Sequence, residues 1–419
     1  MKKNQFIAGI LVIILFLVFA NYLSARNATL PVQLIIGLML GYVFTRSRFG
    51  FAGGVRKTYF TGDGALAKAI ILLFLLTIIA TAGIHYTAFN KGALPNFAAG
   101  PDDMIIPGTN FVQKANLNVF LGGLIFGIGM IFGGCCASGT LTDVGEGEAR
   151  ALLVLPFFGF GGIIGSLLGP IMKADGSVFK EVGVLLYFPD KFGYVGTVVI
   201  YAVLFALLYA FIRSYEDKRK SQNTYKAEVY EDWQLPLEHD GKFKLFSYAT
   251  YHKIFVERWS FTVAAFLVAL LYTFIMNTTG TGWGVSGPYA LWAIWGLEKV
   301  GVTFTAPALQ GQVETVAKGL MNNGVSLRNI GIMGGALIGV LLAGRFRFNT
   351  KMSVKEALTY AFGGLMMGIG ASFSGGCNAG ALYSGLVNFS LSGWLFLVAM
   401  VIGGVLGSKL YMAVFPPQA

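Results

Sequence analysis

The residues best suited to chemistry in this chain are its three cysteines, which end two similar glycine-rich runs. Cys135 and Cys136 end GGLIFGIGMIFGGCC, which begins at Gly122, and Cys377 ends GGLMMGIGASFSGGC, which begins at Gly363. The runs align without a gap, since 377 − 136 = 241 and 363 − 122 = 241. A thiol is a soft, weakly donating group suited to contact a sulfur-containing solute. The duplication therefore indicates two related Gly–Cys turns that contribute to one site.

Each cysteine could also be an inert packing residue without a function, because a membrane cysteine is usually a small core residue. Equivalent positions in two copies favour a functional role for Cys136 and Cys377. Cys135 stands where the second copy has Gly376, so for Cys135 both interpretations stay open. Helix packing explains most of the glycines. It does not explain the turns at Gly134 and Gly376, whose backbone polar groups lipid cannot satisfy. We therefore predict that the turns line a path through the protein.

The elements that position these turns must be membrane helices. Of 419 residues, 55% are hydrophobic and 12% are charged, whereas a soluble domain carries about a quarter charged residues. About ten apolar runs are long enough to cross a hydrocarbon core of about 30 Å. They are Gln5–Ser24, Thr29–Thr45, Ala65–Thr87, Leu117–Phe132, Ala151–Met172, Gly196–Arg213, Trp259–Met276, Ile330–Gly344, Ala357–Phe373 and Leu391–Phe415. The fold class predicted is an all-α polytopic membrane protein with about ten transmembrane or re-entrant helices.

Basic clusters set the predicted topology, because Lys and Arg gather on the cytoplasmic side. The clusters near Lys2, Arg46, Arg213 and Arg345 fall on one side if both termini are cytoplasmic. The two Gly–Cys runs then cross the membrane in opposite senses, so the halves form two inverted-topology repeats. The predicted organisation is a first membrane half over residues 1–213, a cytoplasmic linker over 214–258 and a second membrane half over 259–419. The Trp-rich segment 280–300 is expected at the outer surface as an interfacial helix, with the lining of an entrance as the alternative.

Composition and spacing argue against several other functions. The net charge of +11 lies at the ends of apolar spans, so it indicates topology and contact with anionic lipid rather than nucleic-acid binding. The cysteines show no metal-ligand spacing. None of the histidines at 85, 239 and 252 lies beside a motif cysteine, so a Cys–His nucleophile has no local support. The sequence indicates no cofactor and no enzyme activity.

Four segments together resemble the YeeE/YedE family of bacterial sulfur-compound transporters. They are RSRFGF at 46–51, the GG…GxG…GCCASG pattern at 122–139, VGEG at 144–147 and SGGCNAG at 374–380. The resemblance implies a multi-pass carrier of the bacterial inner membrane that takes up thiosulfate past cysteines on a central path. The family cysteines fall on Cys136 and on Cys377, which precedes Asn378.

One departure from the family pattern concerns a third cysteine, expected in an Arg-Phe-Cys-Phe segment. This chain has Gly50 at that place. Either Cys135 supplies the missing thiol or the substrate differs, with sulfite, sulfide-related species and a selenium analogue as alternatives. Arg46 and Arg48 could also draw an anion to the inner mouth, although the preference for basic residues on the cytoplasmic side is the favoured explanation of both. Asp143 and its acidic neighbours would fit near an anion path if they pair with Arg150 or cap a helix.

The substrate-binding residues expected from these arguments are Cys136, Cys377, Cys135, Gly134, Gly376, Asn378, Arg46 and Arg48. The expected partners are a small sulfur-containing anion and the lipid bilayer, with a TusA-like sulfur-carrier protein as a further partner that the resemblance permits. Two other functions stay open at this point. One is a membrane thiol redox protein, and the other is a membrane dock for a TusA-like carrier.

Overall fold

The computed structural model describes residues 3–172, 179, 182–237, 245 and 247–416. Fifteen α-helices of eight residues or more lie in these ranges. They are α1 Lys3–Ser24, α2 Thr29–Ser47, α3 Phe51–Thr61, α4 Ala65–Asn90, α5 Leu117–Phe132, α6 Ala137–Glu146, α7 Ala149–Met172, α8 Pro189–Ser221, α9 Tyr248–Phe255, α10 Phe261–Thr279, α11 Gly287–Lys299, α12 Gln310–Ala317, α13 Gly324–Leu342, α14 Val354–Phe373 and α15 Leu391–Val414. A π-helix, Asn378–Ser384, and a further turn, Gly385–Val387, lie between α14 and α15. Strands β1 Ala115–Asn116 and β2 Gly183–Val184 pair antiparallel.

The number of membrane spans agrees with the sequence. Among the described residues, 9 helices are long and apolar enough to cross a membrane, and a bent pair gives a tenth candidate. That pair is Val354–Phe373 with Asn378–Val387, and its members meet at 41°. Each of the ten apolar runs predicted above overlaps one of these helices. The all-α polytopic fold class is therefore confirmed.

Close glycine contacts show that the two Gly–Cys runs are antiparallel. A Cβ placed on Gly122, near the start of α5, would meet the backbone nitrogen of Ser374 at the end of α14 at 2.7 Å. A Cβ on Gly129, near the end of α5, would meet the backbone nitrogen of Met367 at 2.7 Å. Residue numbers increase along α5 from the first contact to the second, whereas the residue numbers of their partners in α14 decrease. Equivalent helices of the two copies therefore run in opposite directions, as inverted repeats require.

The packing around this central pair is reciprocal. Helix α5 packs extensively against α15, and α14 packs extensively against α7. In sequence order, α7 follows the first Gly–Cys turn as α15 follows the second. Both pairs are parallel, because Gly161 lies on Leu365 and Gly165 near Ser372, and likewise Gly123 lies on Ala399 and Gly127 near Gly404. Small residues let these backbones approach closely, which is how membrane helices associate without a hydrophobic driving force between them.

Two elements differ from the sequence prediction. Helix α3, which follows Gly50, was not among the predicted spans. The segment 280–300 is not a surface helix throughout, because Trp283 and Tyr289 are buried and α11 packs against α7. Sequence reasoning placed its tryptophans at the membrane surface as an aromatic belt. The prediction of an interfacial helix was therefore wrong for the first part of this segment, whose aromatic rings fill the centre of the protein.

One carboxylate of the segment between the predicted halves connects this segment to the first half and to the residue at the segment's own end. Glu228 forms ion pairs with Lys57 of α3 at 2.5 Å and with Arg258, just before α10, at 2.7 Å. Burial raises the pKa of Glu228, but the two cations outweigh burial and hold the pKa below its ordinary value. His239 and parts of the linker lie outside the described residues.

Candidate functional site

The two Gly–Cys turns have the same backbone geometry. Gly134 and Gly375 occupy equivalent positions, since 375 − 134 = 241, and have positive φ values of 78° and 69°. Glycine adopts this left-handed conformation without steric penalty. Two residues later, Cys136 and Cys377 are both extended, with φ of −90° and −95°. The glycine thus turns the chain sharply so that each cysteine begins a new helix.

Each of these cysteines is the N-cap of a broken helix, and the two helices meet. Cys136 precedes α6, Cys377 precedes the π-helix, and these helices contact each other. The Asn378 amide lies 3.9 Å from the Met130 sulfur of α5, which ties the second turn to the helix that leads into the first. Helix N-termini present unpaired N–H groups and positive dipole ends. At the second end, the N–H groups of Ala379 and Gly380 hydrogen-bond with the Cys377 sulfur, and a helix N-terminus in general favours an anion.

All three thiols have hydroxyl neighbours, and the Cys135 thiol also hydrogen-bonds with the Asp143 carboxylate. The Cys135 sulfur lies 3.3 Å from the Thr140 hydroxyl, and the Cys136 sulfur lies 3.4 Å from the Ser138 hydroxyl. The Cys377 sulfur interacts with the Ser286 hydroxyl, in the segment that precedes α11. Hydroxyls both donate and accept hydrogen bonds. These contacts therefore orient the thiols without forming an anion at the site.

Tyr289 of α11 joins the two turns, and it was not singled out by the sequence analysis. Its hydroxyl donates to the carbonyl of Ala137, next to Cys136, at 2.6 Å, and its side chain interacts electrostatically with all three cysteines. Its ring packs against Phe158 with centroids 4.4 Å apart. No sequence motif marks Tyr289, because its place depends on how the segment 280–300 folds inward. The structure thus brings Cys135, Cys136 and Cys377 around one aromatic side chain.

The thiols lie in closed packing, and two cavities lie at opposite ends of α7. Cys136 and Cys377 are each 1% exposed. A cavity of about 310 Å³ is lined by Gly165, Ser166 and Gly169 near the end of α7, and one of about 230 Å³ by Ala149 and Arg150 at its start. Helix α7 has 24 residues, or about 36 Å at about 1.5 Å per residue. Neither cavity is lined by a cysteine, so in this conformation the thiols are shielded from both.

The predicted arginines have other partners in the structure. Arg46 is buried and its Nη1 donates to the carbonyls of Phe255 and Val256 at 2.6 and 2.8 Å. Arg48 forms an ion pair with Glu146 at the end of α6. The structure gives neither guanidinium a contact with a cysteine. Their charges fasten the linker and α6 at this end of the molecule.

Two arginines that the sequence analysis treated only as topology signals or pairing partners lie beside the first turn instead. Arg56 of α3 donates to the Gly134 carbonyl at 3.3 Å. A Cβ on Gly134 would meet the Arg150 guanidinium at 2.5 Å, and Arg150 pairs with Asp143 at 2.7 Å. The pairing that would reconcile Asp143 with an anion path is therefore present. Arg56 comes near through the fold of α3, which no spacing in the sequence indicates.

Comparison with known proteins agrees with this architecture. The family model described as sulphur transport matches residues 46–406, which include both Gly–Cys turns. The chain belongs to the sulphur-transport family. It is also 26% identical over 384 residues to the thiosulfate transporter TsuA of Escherichia coli (strain K12), covering 88% of this chain and 91% of that protein.

Two further relatives extend the comparison. The thiosulfate transporter TsuA of Spirochaeta thermophila is 24% identical over 396 residues, covering 88% of this chain and 95% of that protein. The probable transporter YedE of Escherichia coli (strain K12) is 28% identical over 164 residues, covering 38% of this chain and 39% of its own length. The resemblance to the YeeE/YedE family is thereby confirmed. This sulphur-transport family member is a multi-pass membrane transporter, and the class of solute that the family indicates is a small sulfur-containing anion.

Proposed function

We propose that this chain takes up thiosulfate across the bacterial inner membrane, along a path that passes Cys136 and Cys377. The observation that carries the proposal is the contact between two helices of the inverted repeat that each begin at a cysteine, α6 and the π-helix, whose thiols interact with each other. Transporters of inverted-repeat design place anionic substrate groups at the N-termini of broken helices. The names of the TsuA relatives support thiosulfate as the solute.

The mechanism requires passage without covalent chemistry. Thiosulfate carries two negative charges and is costly to desolvate alone. The N–H groups at the start of α6 and of the π-helix compensate its charge, and the thiols of Cys136 and Cys377 donate weak hydrogen bonds. Weak, multiple sites let an ion leave as readily as it enters. A thiolate would repel the anion, so the cysteines act as neutral thiols.

Movement of the turns opens the path between the two cavities. Both thiols are shielded in this structure, so substrate passage requires the half-helices to shift relative to α11. Such a shift brings backbone N–H groups that no side chain covers near the substrate, at Gly134 before Cys136 and at Gly376 before Cys377. Asn378 supplies a side-chain amide. Arg46 and Arg48 act at the inner end, by attracting the anion while they hold the linker and α6 in place. Both termini are cytoplasmic in this proposal, as the basic clusters indicate.

Uptake into liposomes that contain only this chain tests the proposal. Labelled thiosulfate is expected to enter with the wild-type protein, and Cys136→Ala and Cys377→Ala are each expected to reduce the initial rate at least about tenfold, the effect of losing one contact worth about 1.4 kcal/mol. Equal amounts of protein in the liposomes and equal thermal midpoints are the control for folding. Undiminished uptake by both variants would contradict the roles of the thiols.

A third variant and a substrate panel resolve the finer points. Cys135→Gly copies the residue of the second turn, Gly376, so reduced uptake identifies Cys135 as the thiol that replaces the one missing at Gly50. Competition by sulfate, sulfite and selenium analogues at equal concentration identifies the solute, and strong inhibition by sulfate would contradict recognition of the outer sulfur. Uptake that depends on an added TusA-like carrier would instead indicate a docking function.

A further inference from the structure

Arg328 is a buried cation without a hydrogen-bonding partner. It lies near the start of α13 and is 1% exposed. Within the described part of the chain, its Nε and Nη1 groups have no acceptor, and it forms no ion pair. Removing a charge from water without a partner is strongly unfavourable. An ionisable side chain buried within a candidate membrane span therefore indicates a function.

Other buried arginines in the structure show how such a charge is ordinarily satisfied. Arg46 donates to two linker carbonyls. Arg258 pairs with Glu228 at 2.7 Å and lies over the ring of Tyr230, 4.5 Å from its centroid. Arg328 has neither kind of partner. Its Nε and Nη1 groups are thus free for a group that is not among the described residues.

The surroundings of Arg328 connect it to the second Gly–Cys turn. Arg328 interacts electrostatically with Tyr272 of α10. The ring of Tyr272 packs against Tyr383 of the π-helix with centroids 4.7 Å apart, and the hydroxyl of Tyr272 accepts a hydrogen bond from Asn388 at 2.8 Å. The π-helix begins at Cys377. One layer of aromatic rings therefore separates the free guanidinium from the half-helix that bears this thiol.

The segment between α10 and α11 makes a second connection. Asn329, the next residue of α13, donates to the carbonyl of Val285 at 2.8 Å. One residue further, Ser286 contacts the Cys377 thiol. The indole nitrogen of Trp283 in the same segment is buried and also has no acceptor among the described residues. The guanidinium of Arg328 and the indole N–H of Trp283 are thus two unpaired donors on the side of the proposed path that the second half forms.

We propose that Arg328 is a substrate-binding residue that contacts the oxygen atoms of the anion in the second half of the path. The proposal rests on the proposed function and deepens it. A guanidinium presents its donors in a plane that matches two oxygen atoms of an oxyanion. The uncharged neighbour Tyr272 leaves this charge uncompensated until a small sulfur oxyanion binds to it.

The test compares ligand binding with stability in Arg328→Met, which keeps most of the side-chain length and removes the charge. In detergent, thiosulfate is expected to raise the thermal midpoint of the wild-type protein but not that of the variant. Without ligand, the midpoint of the variant is expected to equal or exceed that of the wild type, because an unpaired buried charge has been removed. The KM for uptake is expected to rise about tenfold or more, and Arg328→Lys is expected to restore part of the loss.

Arg258→Met is the matched control, since it removes a buried arginine that has an ion-pair partner. It should lower the midpoint without ligand and keep the thiosulfate-induced rise. If Arg328→Met lowers the midpoint but keeps both the rise and the KM, Arg328 is structural and the inference is overturned. If the wild type does not transport thiosulfate but its midpoint rises with sulfite or sulfate, the proposed function fails and the same comparison with that anion decides Arg328. A wild type that responds to none of these anions overturns both proposals.

Discussion

Gly50 occupies the position at which the YeeE/YedE pattern has a cysteine, and its surroundings have room for one. A Cβ built on Gly50 meets no atom within 4 Å. Its backbone is extended, with φ of −158° and ψ of 134°, a conformation open to any residue. Gly50 is also the N-cap of α3, as Cys136 and Cys377 are of the helices that follow them. Neither space nor backbone explains the absence of a third cysteine here.

The substitution Gly50→Cys is therefore expected to be tolerated and to keep or raise the rate of thiosulfate uptake. The thermal midpoint should change by no more than about 2 °C, since no contact is crowded and surface-like substitutions fall within about 0.5 kcal/mol. The matched control is Gly41→Cys, because a Cβ on Gly41 would run into the backbone of Ile332. That variant should insert poorly or melt earlier. A Gly50→Cys protein as unstable as the control would contradict the open geometry at this turn.

Sequence reasoning worked at the residue scale where the chain repeats itself and failed where it does not. Cys136 and Cys377 were found because equivalent positions in two copies reinforce each other, and the structure gives both the same N-cap geometry. Tyr289 and Arg328 belong to no motif. Their significance depends on an inward turn of one segment and on the lack of a partner for one guanidinium, which are properties of the packed molecule alone.

At the scale of helices, the glycines of α2 and α13 determine how closely the two cross. A Cβ on Gly335 of α13 would collide with the carbonyl of Leu38 of α2, and one on Gly331 would lie 2.9 Å from the Cα of Gly37. Glycines of both helices thus take part in the contact, each lying against the backbone of the other helix. The sequence analysis attributed most glycines to such packing, and that interpretation is confirmed here. It could not assign partners, because glycine spacing does not identify which helix lies opposite.

Gly335→Ala is expected to destabilise the protein by about 1–3 kcal/mol, the usual effect of overpacking. Gly83→Ala in α4 is the control, since Gly83 is exposed and a Cβ there meets nothing within 4 Å. Alanine favours the helix over glycine by about 1 kcal/mol, so this variant should be as stable as the wild type or slightly more stable. Thermal unfolding followed by size-exclusion chromatography in detergent measures both. Equal midpoints for the two variants would contradict close packing of α2 on α13.

At the scale of the whole molecule, relative helix directions follow from contacts, whereas the absolute orientation follows from charge. The antiparallel α5 and α14, together with the parallel pairs around them, agree with the order of spans predicted from the sequence. Ten spans and basic clusters were enough to predict this order because hydropathy and charge bias act on each segment separately. The course of α3 and of the segment 280–300 was not predictable in this way, since both are held in place by contacts with other helices.

Labelling of single introduced cysteines from each side tests the orientation. Asp102→Cys, in a loop, and Lys299→Cys, at the end of α11, lie at sites that the proposed topology places outside. Ser221→Cys, at the end of α8, and Thr350→Cys, in a loop, lie at sites placed inside, and all four residues are exposed. A membrane-impermeant maleimide should label the first pair in intact cells and the second pair only after permeabilisation, because the proposed topology places the basic residues near Arg213 and Arg345 on the cytoplasmic side. The native thiols are buried, so the unmodified protein gives the background.

The comparison of Asp102→Cys with Thr350→Cys is the most informative, because these loops precede α5 and α14, the equivalent helices of the two repeats. Opposite accessibility of the two sites follows from the antiparallel course of these helices. Labelling of both from the same side would contradict the inverted arrangement, and with it the placement of two helix N-termini toward one central path. Reversed accessibility at all four sites would agree with the inverted repeat but would show the opposite orientation in the membrane. The cavity beside Arg150 would then face the outer side.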